Sequence, residues 1–126
     1  MRALIVEDET AAYENLAQML TSIDPAIEIV GNTEGVRQTV RWLENNTKPD
    51  IIFMDIQLPD MDGYSAARNI RRLPREEAMT VPILAMTANA FSQDVEKAYD
   101  SGMNAHIAKP LDVDELFQKL YHFLYA

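Results

Sequence analysis

Five residues with chemically active side chains stand at or directly after the ends of four short apolar runs. In the order of the runs they are Glu7 and Asp8, Asp55, Thr87, and Lys109. Three carboxylates brought together repel one another, and a bound cation makes such an arrangement tolerable. Oxygen ligands without histidine or cysteine favour Mg²⁺, or Mn²⁺, over zinc. If the fold gathers the four run ends, the sequence therefore predicts a divalent metal site.

Thr87 and Lys109 extend this chemistry to a phosphoryl group. An ammonium offsets the negative charge of phosphate, and a hydroxyl donates to one of its oxygens. Asp55, between the metal and the lysine, is then a candidate nucleophile whose attack on phosphorus would give an aspartyl phosphate. Such a transfer depends on positioning and charge neutralisation more than on a strong base.

The elements that must position these residues alternate between strand and helix patterns. Strands are predicted at 3–6, 27–31, 51–54, 81–88 and 105–108. The run at 51–54 has no polar alternation, which is typical of a strand covered on both faces. Five βα units predict an α/β fold with a parallel sheet and helices on both faces, and in such a sheet all the carboxyl ends of the strands lie at one edge.

The helices are predicted from apolar spacing and capping residues. The first covers 10–22, the second follows a cap at Asn32 or Thr33, the third opens at Gly63, and the fourth runs from Ser92 to Tyr99 and ends at Gly102. Asp112 is predicted to cap the last helix. Its apolar face is predicted to comprise Val113, Leu116, Phe117, Leu120, Phe123 and Leu124. Residues 74–80 are predicted to be a polar loop.

Composition narrows the class of protein further. The 126 residues fit one domain, with 48% apolar and 25% charged residues. No cysteine is present, which excludes disulfides and thiolate metal sites. No apolar run approaches a membrane span and no signal peptide precedes the first strand, so the cytoplasm is expected and no membrane partner is. The net charge of −9 disfavours direct binding of nucleic acid.

Four motifs stand at the strand ends in a specific order: "VEDE", "FMDIQLPDMDG", "AMTA" and "AKPLD". Together they resemble the receiver domains of two-component response regulators, including the chemotaxis-regulator type, and the resemblance covers the whole chain, 1–126. It implies a flavodoxin-like (βα)5 fold with strand order 2-1-3-4-5. It also implies that Asp55 accepts a phosphoryl group from a histidine kinase or a histidine phosphotransfer protein, without turnover of a free substrate.

The resemblance also implies roles for individual residues. Mg²⁺ would be bound by Asp8, Asp55 and the backbone carbonyl of Gln57, with Glu7 helping through water. Thr87 and Lys109 would contact the phosphoryl group, and the Lys109–Pro110 peptide would be cis. Thr87 and His106 would form the conformational switch, although a surface histidine without a function is an equally open interpretation. A homodimer or partner surface is expected on the fourth helix, fifth strand and last helix, with Tyr99, Tyr121 and His122.

Other functions remain open from the sequence. A metal-dependent phosphatase would be expected to have a general acid two residues after Asp55. Gln57 occupies that position and cannot donate a proton in this way. A flavin-binding module would need a phosphate loop after the first strand, where "EDETAA" is acidic. A degenerate receiver would act as an interaction module without phosphorylation.

The first half of the sequence resembles receivers joined to LytTR-type domains, and the second half resembles those of hybrid kinases, so a recombinant is a further hypothesis. The chain is expected to be a single-domain regulator or the receiver of a longer one.

Overall fold

The computed structural model describes residues 1–57, 63–87 and 92–125. Its five strands are β1 (Arg2–Val6), β2 (Glu28–Thr33), β3 (Ile51–Asp55), β4 (Ile83–Thr87) and β5 (Ala105–Ala108). All pairings are parallel, in the order β2-β1-β3-β4-β5. This arrangement confirms the predicted flavodoxin-like sheet. Residues 58–62, which belong to the motif "FMDIQLPDMDG", lie outside the described residues.

The helices are distributed over the two faces of the sheet. They are α1 (Thr10–Ile23), α2 (Val36–Asn45), α3 (Gly63–Arg71), α4 (Glu76–Thr80), α5 (Ser92–Asp100) and α6 (Val113–Leu120), which continues as a π-helical turn over Tyr121–Tyr125. Apolar residues of α1 and α6 share one buried cluster. Residues of α2, α3, α4 and α5 share the cluster on the opposite face. Among the described residues no helix is long and apolar enough to cross a membrane.

The central strand β3 shows why its sequence lacks polar alternation. Ile51 and Phe53 belong to the cluster with α1 and α6, whereas Ile52 and Met54 belong to the opposite cluster. All four side chains are fully buried. Because successive side chains of a strand point to opposite faces, a strand covered on both sides must be apolar throughout. Asp55 is therefore delivered to the edge by a rigid, fully packed segment.

The prediction that Asn32 or Thr33 caps the second helix is wrong. Both residues lie in β2, and α2 begins at Val36 after Gly35, without a side-chain cap. The hydroxyl of Thr33 is instead hydrogen-bonded to that of Thr39 at 2.7 Å inside the protein. Asn32 and Thr33 have good capping side chains, but they lie in β2 because the pairing of this strand with β1 outweighs their local preference for a helix cap.

The predicted polar loop at 74–80 contains the short helix α4, so that prediction is also wrong. Ala78 of this helix and the following Val81 are buried in the cluster with α2 and α3. Arg71 at the end of α3 donates to the carbonyls of Ala78 and Gly102 and to the side-chain oxygen of Asn104. One half-buried arginine thus joins α3, α4 and the turn before β5, and its burial lowers the pKa of its guanidinium.

The last helix is partly as predicted. The Asp112 side chain accepts a hydrogen bond from Asp114 N, which confirms the cap, and Leu116 and Leu120 are buried. Val113 and Phe117 were assigned to the buried face, but they are 45% and 50% exposed, so that part of the prediction is wrong. Leu116 and Leu120 form the row that packs on the sheet, and Phe123 is partly buried against the same cluster. The side chain of Leu124 lies outside the described residues.

Two glycines have specific structural roles. Gly102 has φ of +103°, a conformation that ends α5 as predicted and that glycine adopts without strain. Gly31 in β2 lies under Trp42 of α2, and a Cβ atom added there would be 2.7 Å from the indole nitrogen. The ring can therefore cover the edge strand only where that strand has no side chain.

Candidate functional site

The strand ends that carry the candidate residues meet at one edge of the sheet. Val6 of β1 is the register partner of Met54, and Asp55 is the partner of Met86. Thr87 pairs with Ala108, directly before Lys109. The site therefore assembles from segments that are distant in sequence, because parallel strands place their carboxyl ends together.

The ammonium of Lys109 lies between two carboxylates. Its Nζ is 3.2 Å from Glu7 Oε1 and 3.4 Å from Asp55 Oδ1. Both acids are buried, with 2% and 7% of their surface exposed. The backbone N of Lys109 also donates to Thr87 O at 2.8 Å, and the Lys109–Pro110 peptide bond is cis. Both the side-chain ammonium and the backbone N of Lys109 are therefore held by neighbours at this edge of the sheet.

The side chains of Glu7, Asp8 and Asp55 form an acidic cluster. One carboxylate oxygen of each lies within 4.8 Å of the others. Glu7 and Asp55 are buried whereas Asp8 is exposed, so the cluster opens to solvent on the Asp8 side. Such a set of oxygen donors fits a hard divalent cation that keeps part of its water shell.

Backbone amides orient two of these carboxylates. Gln57 N donates to Asp55 Oδ1 at 3.2 Å, and Glu9 N donates to Glu7 Oε2 at 3.3 Å. Each amide lies two residues after the acid that it contacts, as in turns closed by an Asp or Glu side chain. These contacts restrain the orientation of both carboxylates, while the other oxygen of Glu7, Oε1, contacts the Lys109 ammonium.

Burial strongly changes the titration of Glu7. The pKa of its carboxyl is raised from 4.5 to about 7, chiefly by burial and further by the hydrogen bond and charge of Asp55, while Lys109 acts in the opposite direction. For Lys109, burial would lower the pKa, but the charges of Asp55 and Glu7 outweigh it, and the pKa of the ammonium is raised. Below pH 7 a proton therefore relieves the repulsion between the two buried acids.

This shift predicts how the stability of the metal-free protein depends on pH. Between pH 4.5 and pH 7 the folded state retains a proton on Glu7 that the unfolded chain releases, so the free energy of unfolding should fall as pH rises, by up to about 3 kcal/mol. Urea denaturation at several pH values, with a chelator present, measures this free energy of unfolding. Glu7→Gln should remove this part of the pH dependence. Equal slopes for the two proteins would contradict the shift.

The structure places Thr87 and His106 on the same face of the sheet. The residues of β4 and β5 that contact α1 and α6 are Leu84, Met86, Ala105 and Ile107. By alternation, Thr87 and His106 face the opposite side. His106 pairs with Ala85, two residues before Thr87, so the two side chains are diagonal neighbours. The Nδ1 atom of His106 is buried and has no hydrogen-bond partner in the described part of the chain.

The three residues expected to form a partner surface, Tyr99, Tyr121 and His122, lie on two separate surfaces. Tyr99, Asn104, Lys119 and His122 line a groove between α5, the start of β5 and α6. Tyr121 instead stacks on Phe117, with ring centroids 6.3 Å apart. Tyr121 therefore belongs to a separate exposed row, together with Val113 and Phe117, at helical spacing.

The sequence matches the response regulator receiver domain family over residues 3–121. The chain belongs to this family. The resemblance inferred from the four motifs is thus confirmed. Receiver domains are signalling partners of histidine kinases or phosphotransfer proteins, and as a class they are not turnover enzymes.

Curated relatives of this receiver domain are much longer proteins. The chain is 35% identical over 123 residues to the transcription factor SKN7 of Chaetomium thermophilum. It is 32% identical over 124 residues to the hybrid signal transduction histidine kinase L of Dictyostelium discoideum. The alignments include 98% and 94% of the chain, but the chain spans only 15% and 7% of the two relatives.

A solved structure with a similar fold is that of the receiver domain of the sensor histidine kinase PA1611 from Pseudomonas aeruginosa PAO1. The TM-score is 0.84 and the sequence identity is 36%, with 99% of this chain and 98% of that chain covered. That receiver domain has a magnesium ion coordinated in its active-site cleft.

One residue close to the carboxyl ends of the strands was overlooked in the sequence. Asn32, interpreted as a helix cap, donates from its side chain to the carbonyls of Ile5 and Glu7. No local pattern indicates this contact, because it depends on the pairing of β1 with β2.

Proposed function

We propose that residues 1–126 form a phosphoacceptor receiver domain that takes a phosphoryl group onto Asp55 and changes conformation in response. The observation that carries the proposal is the ammonium of Lys109 between the buried carboxylates of Glu7 and Asp55, beside Asp8. A histidine kinase or a histidine phosphotransfer protein is the proposed donor. The proposed compartment is the cytoplasm, and neither nucleic acid nor a membrane is a proposed partner.

The acidic cluster fits Mg²⁺, or Mn²⁺, in chemistry and in spacing. Asp8 and Asp55 are the proposed direct ligands together with the backbone carbonyl of Gln57, and Glu7 is proposed to act through water. When bound, the cation supplies positive charge that offsets the phosphoryl oxygens. Support comes from the convergence of the three carboxylates and from the magnesium ion in the similar Pseudomonas receiver domain.

The transfer step requires little more than positioning. An oxygen of Asp55 forms a bond to phosphorus as the bond from phosphorus to the donor breaks, and the donor keeps that electron pair. The hydrogen bond from Gln57 N holds Asp55 Oδ1, which leaves the second oxygen as the nucleophile. Lys109 neutralises charge on the phosphoryl oxygens, and Thr87 donates to one of them. The cycle ends when water attacks the aspartyl phosphate, so the protein catalyses only reactions of its own side chain.

Direct labelling tests the proposal. Incubation with Mg²⁺ and acetyl phosphate should add one phosphoryl group, detected by intact mass and removed by hydroxylamine. Omission of the metal should prevent the gain. A protein that gains no hydroxylamine-labile group under any of these conditions is not a phosphoacceptor.

The proposed switch consists of Thr87 and His106. A new phosphoryl group carries a charge near −2 and strong acceptor oxygens, and it would draw the Thr87 hydroxyl toward the site. His106, the diagonal neighbour, could then occupy the vacated space. The unsatisfied Nδ1 supports this idea, because a buried polar atom without a partner is costly and holds the ring weakly. The groove lined by Tyr99 and His122 is the proposed site of homodimer or partner contact.

Thr87→Ala should uncouple phosphorylation from this movement. With beryllofluoride, a phosphoryl mimic, the wild-type protein should show chemical-shift changes at Asp55, at His106 and along α6. In Thr87→Ala the changes near Asp55 should persist while those at His106 and α6 fall to a small fraction of the wild-type values. Thr47→Ala, an exposed threonine before β3, is the control and should respond like the wild type. Full distant changes in Thr87→Ala would exclude this route.

A further inference from the structure

The end of β1 that carries the acidic pair is held by a side chain of β2. The Nδ2 atom of Asn32 lies 3.2 Å from Ile5 O and 3.2 Å from Glu7 O, and it donates to both. Both N–H groups of one amide thus donate to the segment from Ile5 to Glu7, at and just after the end of β1. Glu7 N in turn donates to Thr33 O at 2.9 Å. The backbone of Glu7 is therefore tied to β2 on both its donor and its acceptor side.

An irregularity in β2 places Asn32 at this position. Ala3 pairs with Ile29, but Leu4 pairs with Gly31, so β2 has one extra residue between these pairs. Beyond the shift, Asn32 is the register partner of Ile5. Bulges of this kind re-aim the side chains that follow them and are common near active sites.

Of the two carbonyls that accept from Asn32, that of Glu7 has a specific relation to the acidic cluster. It belongs to the peptide group that joins Glu7 to Asp8. Because a peptide group is planar, a hydrogen bond to its oxygen restrains the orientation of both flanking residues. The Asp8 side chain is exposed, so packing restrains it little and its placement depends on the backbone. Fixing this one peptide therefore restrains the backbone from which two of the three carboxylates project.

We propose that Asn32 is a positioning residue of the metal site, which holds the Glu7–Asp8 peptide so that the acidic cluster converges. The inference rests on the proposed function, since it concerns the same site. Partners that orient metal ligands commonly change metal affinity by about 10- to 100-fold. Asn32 is at the surface, so water can replace part of the contact that it makes, and the expected effect here is at or just below the lower end of that range.

Asn32→Asp tests the proposal through the sign of its effect. The aspartate has the same shape but no donor, and its added negative charge alone would strengthen the binding of a cation. Loss of positioning acts in the opposite direction. We expect the dissociation constant for Mg²⁺, obtained from amide chemical shifts during MgCl₂ titration, to rise roughly 5- to 10-fold. The uncharged Asn32→Leu should change it in the same direction, and Asn32→Gln, which retains the amide, should remain closer to the wild type.

A matched control and a second readout separate positioning from a general loss of stability. Asn45 also donates from its side chain to a carbonyl, that of Arg41 at 2.8 Å. It lies at the end of α2, from which the chain enters β3 at the edge of the sheet opposite to the acidic cluster. Asn45→Asp should leave the Mg²⁺ affinity unchanged. For Asn32→Asp, the Mg²⁺ concentration that gives half-maximal phosphorylation should rise while the maximal rate stays near the wild-type value. Partial unfolding would instead lower the maximal rate.

Two outcomes would overturn the inference. If Asn32→Asp and Asn32→Leu bind Mg²⁺ as tightly as the wild type, Asn32 does not position the site, while a wild type that gains a phosphoryl group still supports the proposed function. A wild type that neither binds Mg²⁺ nor gains a phosphoryl group overturns both proposals.

Discussion

Replacing Asp55 by asparagine should reduce phosphoryl transfer from acetyl phosphate at least about 100-fold, because an amide oxygen is a poor nucleophile toward phosphorus. Asp55 is the acid that ends the buried central strand, and its Oδ1 lies 3.4 Å from the Lys109 ammonium. The substitution preserves the shape of the side chain and removes one charge from a cluster of three carboxylates. The variant should therefore remain folded, and the loss should be chemical.

The measurement is the rate at which the hydroxylamine-labile mass gain appears in the presence of Mg²⁺. Asp100→Asn, which makes the same change at an exposed position at the end of α5, should be labelled at the wild-type rate. Circular dichroism establishes that both variants are folded. Labelling of Asp55→Asn at a rate near that of the wild type would place the phosphoryl group on another residue.

Removing the exposed acid of the cluster should have the second largest effect. Asp8→Ala should raise the dissociation constant for Mg²⁺ by roughly 10- to 100-fold, because a hard cation loses one of its few charged ligands. Phosphorylation should then become slow at low Mg²⁺ and recover in part at high Mg²⁺, since the nucleophile and Lys109 are intact. The titration described for Asn32 measures the affinity directly.

Glu9→Ala is the matched control for this variant. Glu9 is also acidic and exposed, and it directly follows Asp8, but its carboxylate is not a member of the acidic cluster. Its backbone N, which donates to Glu7 Oε2, survives the substitution. Equal weakening of Mg²⁺ binding by Asp8→Ala and Glu9→Ala would show that overall negative charge, and not a specific ligand, determines the affinity.

The parts of the fold that could be predicted from the sequence are those that one dominant physical signal determines. The run Ile51–Met54 is apolar throughout because both of its faces are covered, and that pattern identifies a central strand without knowledge of its partners. The edge strand β2 lacks such a signal. The extra residue between its two registers and the inclusion of Asn32 in the strand both depend on pairing with β1. The helix α4 was overlooked because it has only five residues, and the burial of Ala78 within so short a segment produces no periodic pattern.

The composition of the candidate site could be predicted for a related reason. Once five parallel strands are inferred, topology alone requires Glu7, Asp55 and Lys109 to lie at the same edge. The energetics could not be predicted in this way. The pKa of Glu7 is raised by its burial and by its contacts with Asp55, against the opposing charge of Lys109, which is 102 residues away. Such quantities follow from distances between elements, and no local stretch of sequence contains them.

The contact between Trp42 and Gly31 has a practical consequence for spectroscopy. Trp42 is the only tryptophan of the chain, and its indole lies directly over the edge strand that also carries Asn32. Indole emission shifts to longer wavelength when the ring moves from a protein environment into water. Intrinsic fluorescence therefore reports whether β2 remains attached to the sheet, independently of the chemistry at Asp55. An unlabelled sample can thus show whether a variant at Asn32 has loosened the edge strand or only misplaced a carboxylate.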